Sequence, residues 1–406
     1  MQEGSRYAVG IDIGTKTVRC VVGHLDAAGV PKIVGVGAAP NTGMRKGIVS
    51  HLAGPAAAID TALEAAERMS GHQIDAATIS INGSHITSTK ADGMIAVGAT
   101  TGEVTHDDMM RLEEVATTGK VSPNREVLTI VPHAYRLDGQ DGMKDPLGMT
   151  GTRLELKASV ISCLAPHSAN VRKSAEMAKV ATKQLTPSVL AGARAVLSES
   201  QLEHGVAVLD VGAATTGVAV FEEGDLQYVA VIPMGGQQVT NDLAIGLKTD
   251  PEVAEAVKLA HAQFGGEASG TVEIKHNKQL YHFEQAEIDE IVEARYEEIF
   301  ELVAKELKRA GGIGRLPSGV VLIGGAANVK GLTQFAKEKI GVAAKIGTAK
   351  GYAGVSDEVQ RPEFAVATGL MLQDAAGDGV LHEEGHGGSA IEKTTGFIGK
   401  LLAKFK

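Results

Sequence analysis

The sequence predicts an α/β fold of two or more domains, and three observations lead there. An apolar run that ends in aspartate and breaks into a tight turn before a second strand occurs twice, at residues 8–17 and 206–216. At 406 residues the chain exceeds what a single core usually serves. Each aspartate loop also opens a stretch in which short apolar runs lead into helical periodicity.

In chain order, residues 7–13, 18–24 and 33–38 read as a strand meander. Residues 54–70 read as a helix with an alanine-rich face, and 77–81 as the strand that completes a first α/β half. Residues 84–162 behave differently, with an acidic helix at 105–115 and alternating strands at 127–136 and 153–162, as an inserted subdomain would. A helix at 169–181 and the run 188–198 return to the first half. The second loop then opens another α/β unit, interrupted by a mostly helical insert between 248 and 312. Its best helix, 285–309, puts Ile288, Ile291, Val292, Ile299, Leu302 and Val303 on one stripe and stops at Gly311-Gly312.

Apolar content of 44% with 22% charged residues is that of a soluble globular protein, and a formal charge of -10 argues against general nucleic-acid binding. Cys20 and Cys163 sit in strand-like apolar runs, which predicts buried reduced thiols and a cytoplasmic location. No charged-then-apolar leader and no apolar run of about 18 residues is present, so neither secretion nor a membrane span is expected.

The chemistry resides in the two loops. Asp12 is followed by Gly14, Thr15, Lys16 and Thr17, and Asp210 by Gly212, Ala213, Ala214, Thr215 and Thr216. Such turns offer backbone N–H groups and hydroxyls to phosphate oxygens while the carboxylate faces a hydrated cation. Either loop alone also fits an ordinary hairpin turn. A Walker loop would need Gly-Lys-Ser/Thr leading into a helix, and a dinucleotide fold GxGxxG; neither appears. The pair resembles the phosphate-1 and phosphate-2 motifs of the actin, Hsp70 and sugar-kinase ATPase superfamily. Gly324, Gly325, Ala326 and Asn328, after the apolar run 320–323, resemble its adenosine motif. The resemblance implies an actin-like (ribonuclease H-like) two-domain ATPase fold that binds ATP and Mg2+. Asp12 and Asp210 would be its catalytic carboxylates and hold magnesium-bound water, and Lys16 would neutralise phosphate charge.

A narrower resemblance, to the FtsA family of bacterial cell-division proteins, is carried by residues 35–37, 43–49, 131–135, 142–151, 231–233, 240–244 and 254–258. It implies subdomain 1A at 5–83 and 163–203, with 356–373 returning to it, and a family-specific 1C insert at 84–162. Subdomain 2A would occupy 204–247 and 315–355, and 2B would occupy 248–314. Gly236, Glu255 and Lys258 would then contact the nucleotide, although the last two read alone as a surface i,i+3 ion pair. Some positions depart from the pattern. Ala213 and Ala214 stand where glycine is common, Gly217 where relatives place an acid, and 189–193 is apolar or small where actin has a water-positioning glutamine. ATP binding is therefore expected, with hydrolysis weak or absent.

Residues 374–393 read as a flexible linker, in which His382 and His386 are better taken as solvated than as metal ligands. Wound as a helix, residues 394–406 bring Phe397, Ile398, Leu401, Leu402 and Phe405 within an arc of roughly 140°. Lys400, Lys404 and Lys406 flank that arc. The segment is too short to span a bilayer but suited to lie at an anionic lipid interface, at about 1 kcal/mol per lysine; docking on its own domain is the alternative. The family carries such a C-terminal amphipathic helix. The resemblance thus implies a protein that polymerises and tethers FtsZ filaments to the inner face of the cytoplasmic membrane at the division site. It would bind the FtsZ C-terminal peptide on 2B, with Arg295 a candidate contact, and other division proteins besides. Two rivals share the superfamily. A PilM-like pilus-assembly ATPase would rely on a protein partner rather than a basic tail, and a small-metabolite kinase would need a further catalytic aspartate at its cleft.

Overall fold

Two sheets repeat one topology, in a computed structural model that describes residues 6–25, 29–98, 102–266, 270–354 and 357–377. Strands β1 (Tyr7–Ile13), β2 (Thr17–Leu25) and β3 (Pro31–Pro40) form an antiparallel meander. The hairpin β4 (Met44–Arg45) and β5 (Ile48–Val49) and the helix α1 (Ala53–Ser70) lead to β6 (Ala76–Ile81), which pairs parallel to β1.

The chain then leaves for an insert made of β7 (Thr87–Ala96), α2 (His106–Thr117), β8 (Arg125–Leu137), β9 (Gln140–Met143) and β10 (Arg153–Leu164), its sheet ordered β7-β10-β8-β9. Helix α3 (Ala165–Met177) returns it to β11 (Ala181–Pro187), so the first sheet runs β11-β6-β1-β2-β3.

After α4 (Ser188–Val196) and α5 (Glu199–His204), the strands β12 (Val206–Val211), β13 (Thr216–Glu222) and β14 (Asp225–Ile232) form a second meander. Helices α6 (Gly236–Gly246) and α7 (Pro251–His261), the hairpin β15 (Thr271–His276) and β16 (Gln279–Glu284), and α8 (Gln285–Arg309) follow. Then β17 (Val320–Ile323) pairs parallel to β12, and α9 (Leu332–Ile340) precedes β18 (Ala344–Ile346), giving the order β14-β13-β12-β17-β18. The last described helix is α10 (Ala365–Ala375).

Every residue of β12, and all of β1 after Tyr7, is buried, as strands covered on both faces must be. One covering layer is α4 and α10, which lie between the sheets in a core running from Ile11 and Ile79 through Leu190, Val366 and Leu370 to Val208 and Ile323. These helices approach so closely that a Cβ on Gly369 would sit 1.7 Å from the Ala191 carbonyl oxygen. A second core beyond the second sheet is closed by α8 through Ile288, Val292, Tyr296, Ile299, Phe300, Val303 and Leu307. The insert has a core of its own around Leu112, Ile130, Leu154 and Val160.

The elements differ from the sequence expectation in several places. The helix expected at 169–181 is α3, four residues earlier, because Pro166 suits its first turn, and Ala181 already belongs to a strand. The stretch 248–312 contains the β15–β16 hairpin, and the insert has the additional strand β7. At the expected start of the linker, Asp374 is still in α10, where it accepts a hydrogen bond from Val9 N at 2.8 Å and pairs with Lys183 at 2.9 Å. Residues 378–406, with His382, His386 and the amphipathic segment, lie outside the described residues. Cys20 and Cys163 are buried free thiols. Among the described residues no helix is long and apolar enough to cross a membrane.

Candidate functional site

The β1–β2 and β12–β13 turns face one another across a cleft of about 360 Å³, within the usual range for small-molecule sites. Asp12, next to last in β1, is buried, with Ser80 of β6 donating to its Oδ1 at 2.8 Å and Ile13 N donating to Ser80 Oγ at 2.8 Å. Asp210 is buried on the other wall. Burial raises both carboxyls. It takes Asp210 to about 7, helped by the charge of Asp12 and opposed by Arg19; the Ser80 bond and Arg19 oppose it at Asp12. Two buried carboxylates that repel one another fit a hydrated divalent cation, which takes one or two carboxylates and retains its waters.

The second loop is stitched to the N-terminus of α6: Gly236 N donates to Gly212 O at 2.9 Å and Gln237 N to Ala213 O at 2.6 Å. Thr215 Oγ1 accepts from Asn82 Nδ2 at 3.1 Å across the cleft, which leaves its own hydroxyl proton free to point inward. Gly14, Thr15, Lys16, Thr17, Gly212, Ala213, Thr215 and Gly236 all line the cavity. Ala214 and Thr216 do not; Thr216 is buried and donates to Met234 O at 2.8 Å.

Glu255 and Lys258 of α7 meet on the far wall. Lys258 Nζ donates to Glu255 Oε2 at 2.7 Å, Thr240 Oγ1 at 2.8 Å and Gly236 O at 3.1 Å, and Thr240 also donates to Glu255. Burial alone would raise Glu255, but Lys258 and the Thr240 bond hold it below the ordinary range, while burial lowers Lys258. Gly324, at φ 90°, brings its turn so close that a Cβ would lie 2.6 Å from Asp210 Oδ1. Gly325, Ala326 and Asn328 line the cavity beside it. Tyr296 Oη donates to Ala326 O at 2.6 Å, and Asn328 Nδ2 to Glu363 Oε2 at 2.8 Å.

Sequence reasoning missed Arg19, Ser80, Asn82, Tyr296 and Glu363. A serine between Ile79 and Ile81, in a strand buried throughout, was the available signal for one of them. Gly217 has a packing cause, since a Cβ there would lie 2.8 Å from Val189 Cβ. Arg295 stands apart from the cleft, half-buried and paired with Asp242 and Glu298.

A family model described as cell division protein FtsA matches residues 207–369, and one described as the SHS2 domain inserted in FTSA matches 83–162. The cell division protein FtsA of Pseudomonas aeruginosa is 33% identical over 375 residues, covering 91% of this chain and 89% of that one. That of Bacillus subtilis is 34% identical over 369 residues (89% and 82%), and that of Neisseria meningitidis 32% over 412 (100% and 98%). Among solved structures, a PilM-PilN type IV pilus biogenesis complex matches with TM-score 0.66 at 17% identity, covering 91% of this chain and 98% of its own. MreB5 of Spiroplasma citri bound to ADP matches with TM-score 0.51 at 14% identity, covering 91% and 96%. At such identities the structures show the fold alone, an actin-like two-domain α/β fold with an SHS2 insert. The sequence relatives, alike over nine-tenths of its length, decide the lineage: the chain belongs to the FtsA family of cell-division proteins.

Proposed function

We propose that this cell-division protein binds Mg-ATP in the cleft, polymerises, and tethers FtsZ filaments to the inner face of the cytoplasmic membrane at the division site. The observation that carries the reading is the meeting of two aspartate loops, one from each sheet, in a single cavity lined by Asp12 and Asp210. Two solved MreB5 structures with this fold are described as bound to ADP and AMPPNP. Bound Mg2+ supplies positive charge that offsets the phosphates and the two carboxylates. The residues have separable tasks. Asp12 and Asp210 hold the cation's waters, residues 14–17 with Gly212, Ala213 and Thr215 enclose phosphate with Lys16 countering its charge, and Glu255, Lys258, Gly324, Gly325, Ala326 and Asn328 face the nucleoside. Hydrolysis is slow on this reading, because α4 meets the cleft with Ser188 and offers no amide to orient water. The FtsZ C-terminal peptide docks on residues 248–314, and the segment 394–406 supplies lipid affinity; the alignment with the Neisseria relative spans the whole chain, that segment included.

Titration calorimetry of ATP with Mg2+ tests the cleft. Asp210→Ala weakens binding at least tenfold, about 1.4 kcal/mol. Unchanged affinity in that variant would place the nucleotide elsewhere.

A further inference from the structure

The insert is joined to the first half, yet it touches the second half at both ends of one hairpin. At its root, Asn82, in the turn that leads from β6 into the insert, donates to Thr215, the residue before β13. At its far end, Lys144 just after β9 pairs with Asp225 at the start of β14 and donates to Glu223 O at 3.3 Å. Asp225 is 9% exposed against 56% for Lys144, so a buried carboxylate depends on that lysine. Between these ends β14 lies against β7, β8 and β10, with Leu226, Val229 and Val231 sharing a core with Leu128, Val131 and Ile161. The root is stiff. Arg125 Nη2 donates to His85 O at 2.5 Å, Thr87 Oγ1 at 2.7 Å and Ser162 O at 2.9 Å, tying both crossing strands together, and His85 Nε2 bonds Asn82 O at 3.1 Å.

We infer that the insert positions the second aspartate loop by gripping the β13–β14 hairpin at Thr215 and Asp225, so that Asn82 and Lys144 are positioning residues for the nucleotide. β13 begins beside the loop, so a displacement of the hairpin at Asp225 reaches Thr215 through one strand. The coupling is reciprocal: whatever pulls the insert off β14 weakens nucleotide binding, and nucleotide tightens the grip. The inference rests on the cleft being the nucleotide site.

The test uses the full chain, a fluorescent ATP analogue and Mg2+. Lys144→Glu and Asp225→Lys each weaken binding about fivefold or more, and the double exchange restores it to within about twofold. Singles that bind like the unsubstituted chain, or a double no better than either, overturn the inference. Should a single fail to fold, Lys144→Cys with Asp225→Cys, joined by a short bifunctional maleimide because a lysine–aspartate contact sets the two backbones beyond disulfide reach, gives a second readout, Cys20 and Cys163 being buried. The cross-link forms faster with Mg-ATP present; equal rates overturn the coupling. An unsubstituted chain that binds no analogue, while the cysteine pair still closes, overturns the nucleotide reading and leaves the grip standing.

Discussion

Glu113 lies in the core of the insert with neither carboxylate oxygen hydrogen-bonded, and burial raises its pKa to about 7. Between the unfolded value near 4.5 and about 7 the native state holds a proton that the unfolded chain has lost. Its contribution is therefore fully present below about 4.5 and is lost as pH rises through about 7, on the order of 3 kcal/mol in all. Glu113→Gln keeps the neutral form's shape, so urea midpoints that fall from pH 5 to pH 8 in the parent should fall less in the variant. Parallel falls would assign the pH dependence to other groups. Asp12 and Asp210 are buried as well, but Ser80 and Arg19 attend them and they face a cavity. Their place in one cleft was legible in the sequence because the same aspartate-and-turn pattern occurs twice, whereas either loop alone also fits a hairpin turn. Ser80 and Asn82 were not, because each acts through a residue distant in the chain: Ser80 on Asp12, and Asn82 on Thr215.

At the level of elements, α8 was legible to its last residue because its spacing of three and four agrees with the face it buries, including Ile288, Val292 and Val303. Strand β7 was not, because its Thr-Ser-Thr-Lys run is polar and nowhere fully buried, at a sheet edge. The hairpin β15–β16 escaped for the same reason, with little fully buried beyond Ile274. Strand β11 carries Lys183 and Gln184, good helix formers, and is held extended by parallel pairing with β6. Composition also hid how closely α4 and α10 cross. Gly369→Ala puts its methyl within 1.7 Å of the Ala191 carbonyl oxygen, which only backbone movement relieves. A loss of about 1–3 kcal/mol is expected in denaturant unfolding. Retention of full stability would mean that the two helices separate without cost.

On the scale of the whole molecule, the repeated aspartate loop was the sequence's trace of a repeated sheet. The strands that complete each sheet, β6 with β11 and β17 with β18, have no matching motifs, so the common order emerges only in three dimensions. The proposed tether depends on joining weak contacts. A single tail with Phe397, Ile398, Leu401, Leu402 and Phe405 and lysines worth about 1 kcal/mol each gives marginal, reversible lipid binding. A filament that presents many tails to one surface converts each later contact into an intramolecular one, so affinity rises steeply with polymerisation. Vesicles containing anionic lipid should therefore sediment FtsZ with the full chain and Mg-ATP, and fail to do so when residues 394–406 are removed. Higher salt or neutral lipid should weaken the full chain's recruitment, because the lysines act through screened charge. Equal FtsZ recruitment by the full and shortened chains would discard the tether, because removing residues 394–406 takes away the apolar face and the lysines on which the lipid contact is argued to depend.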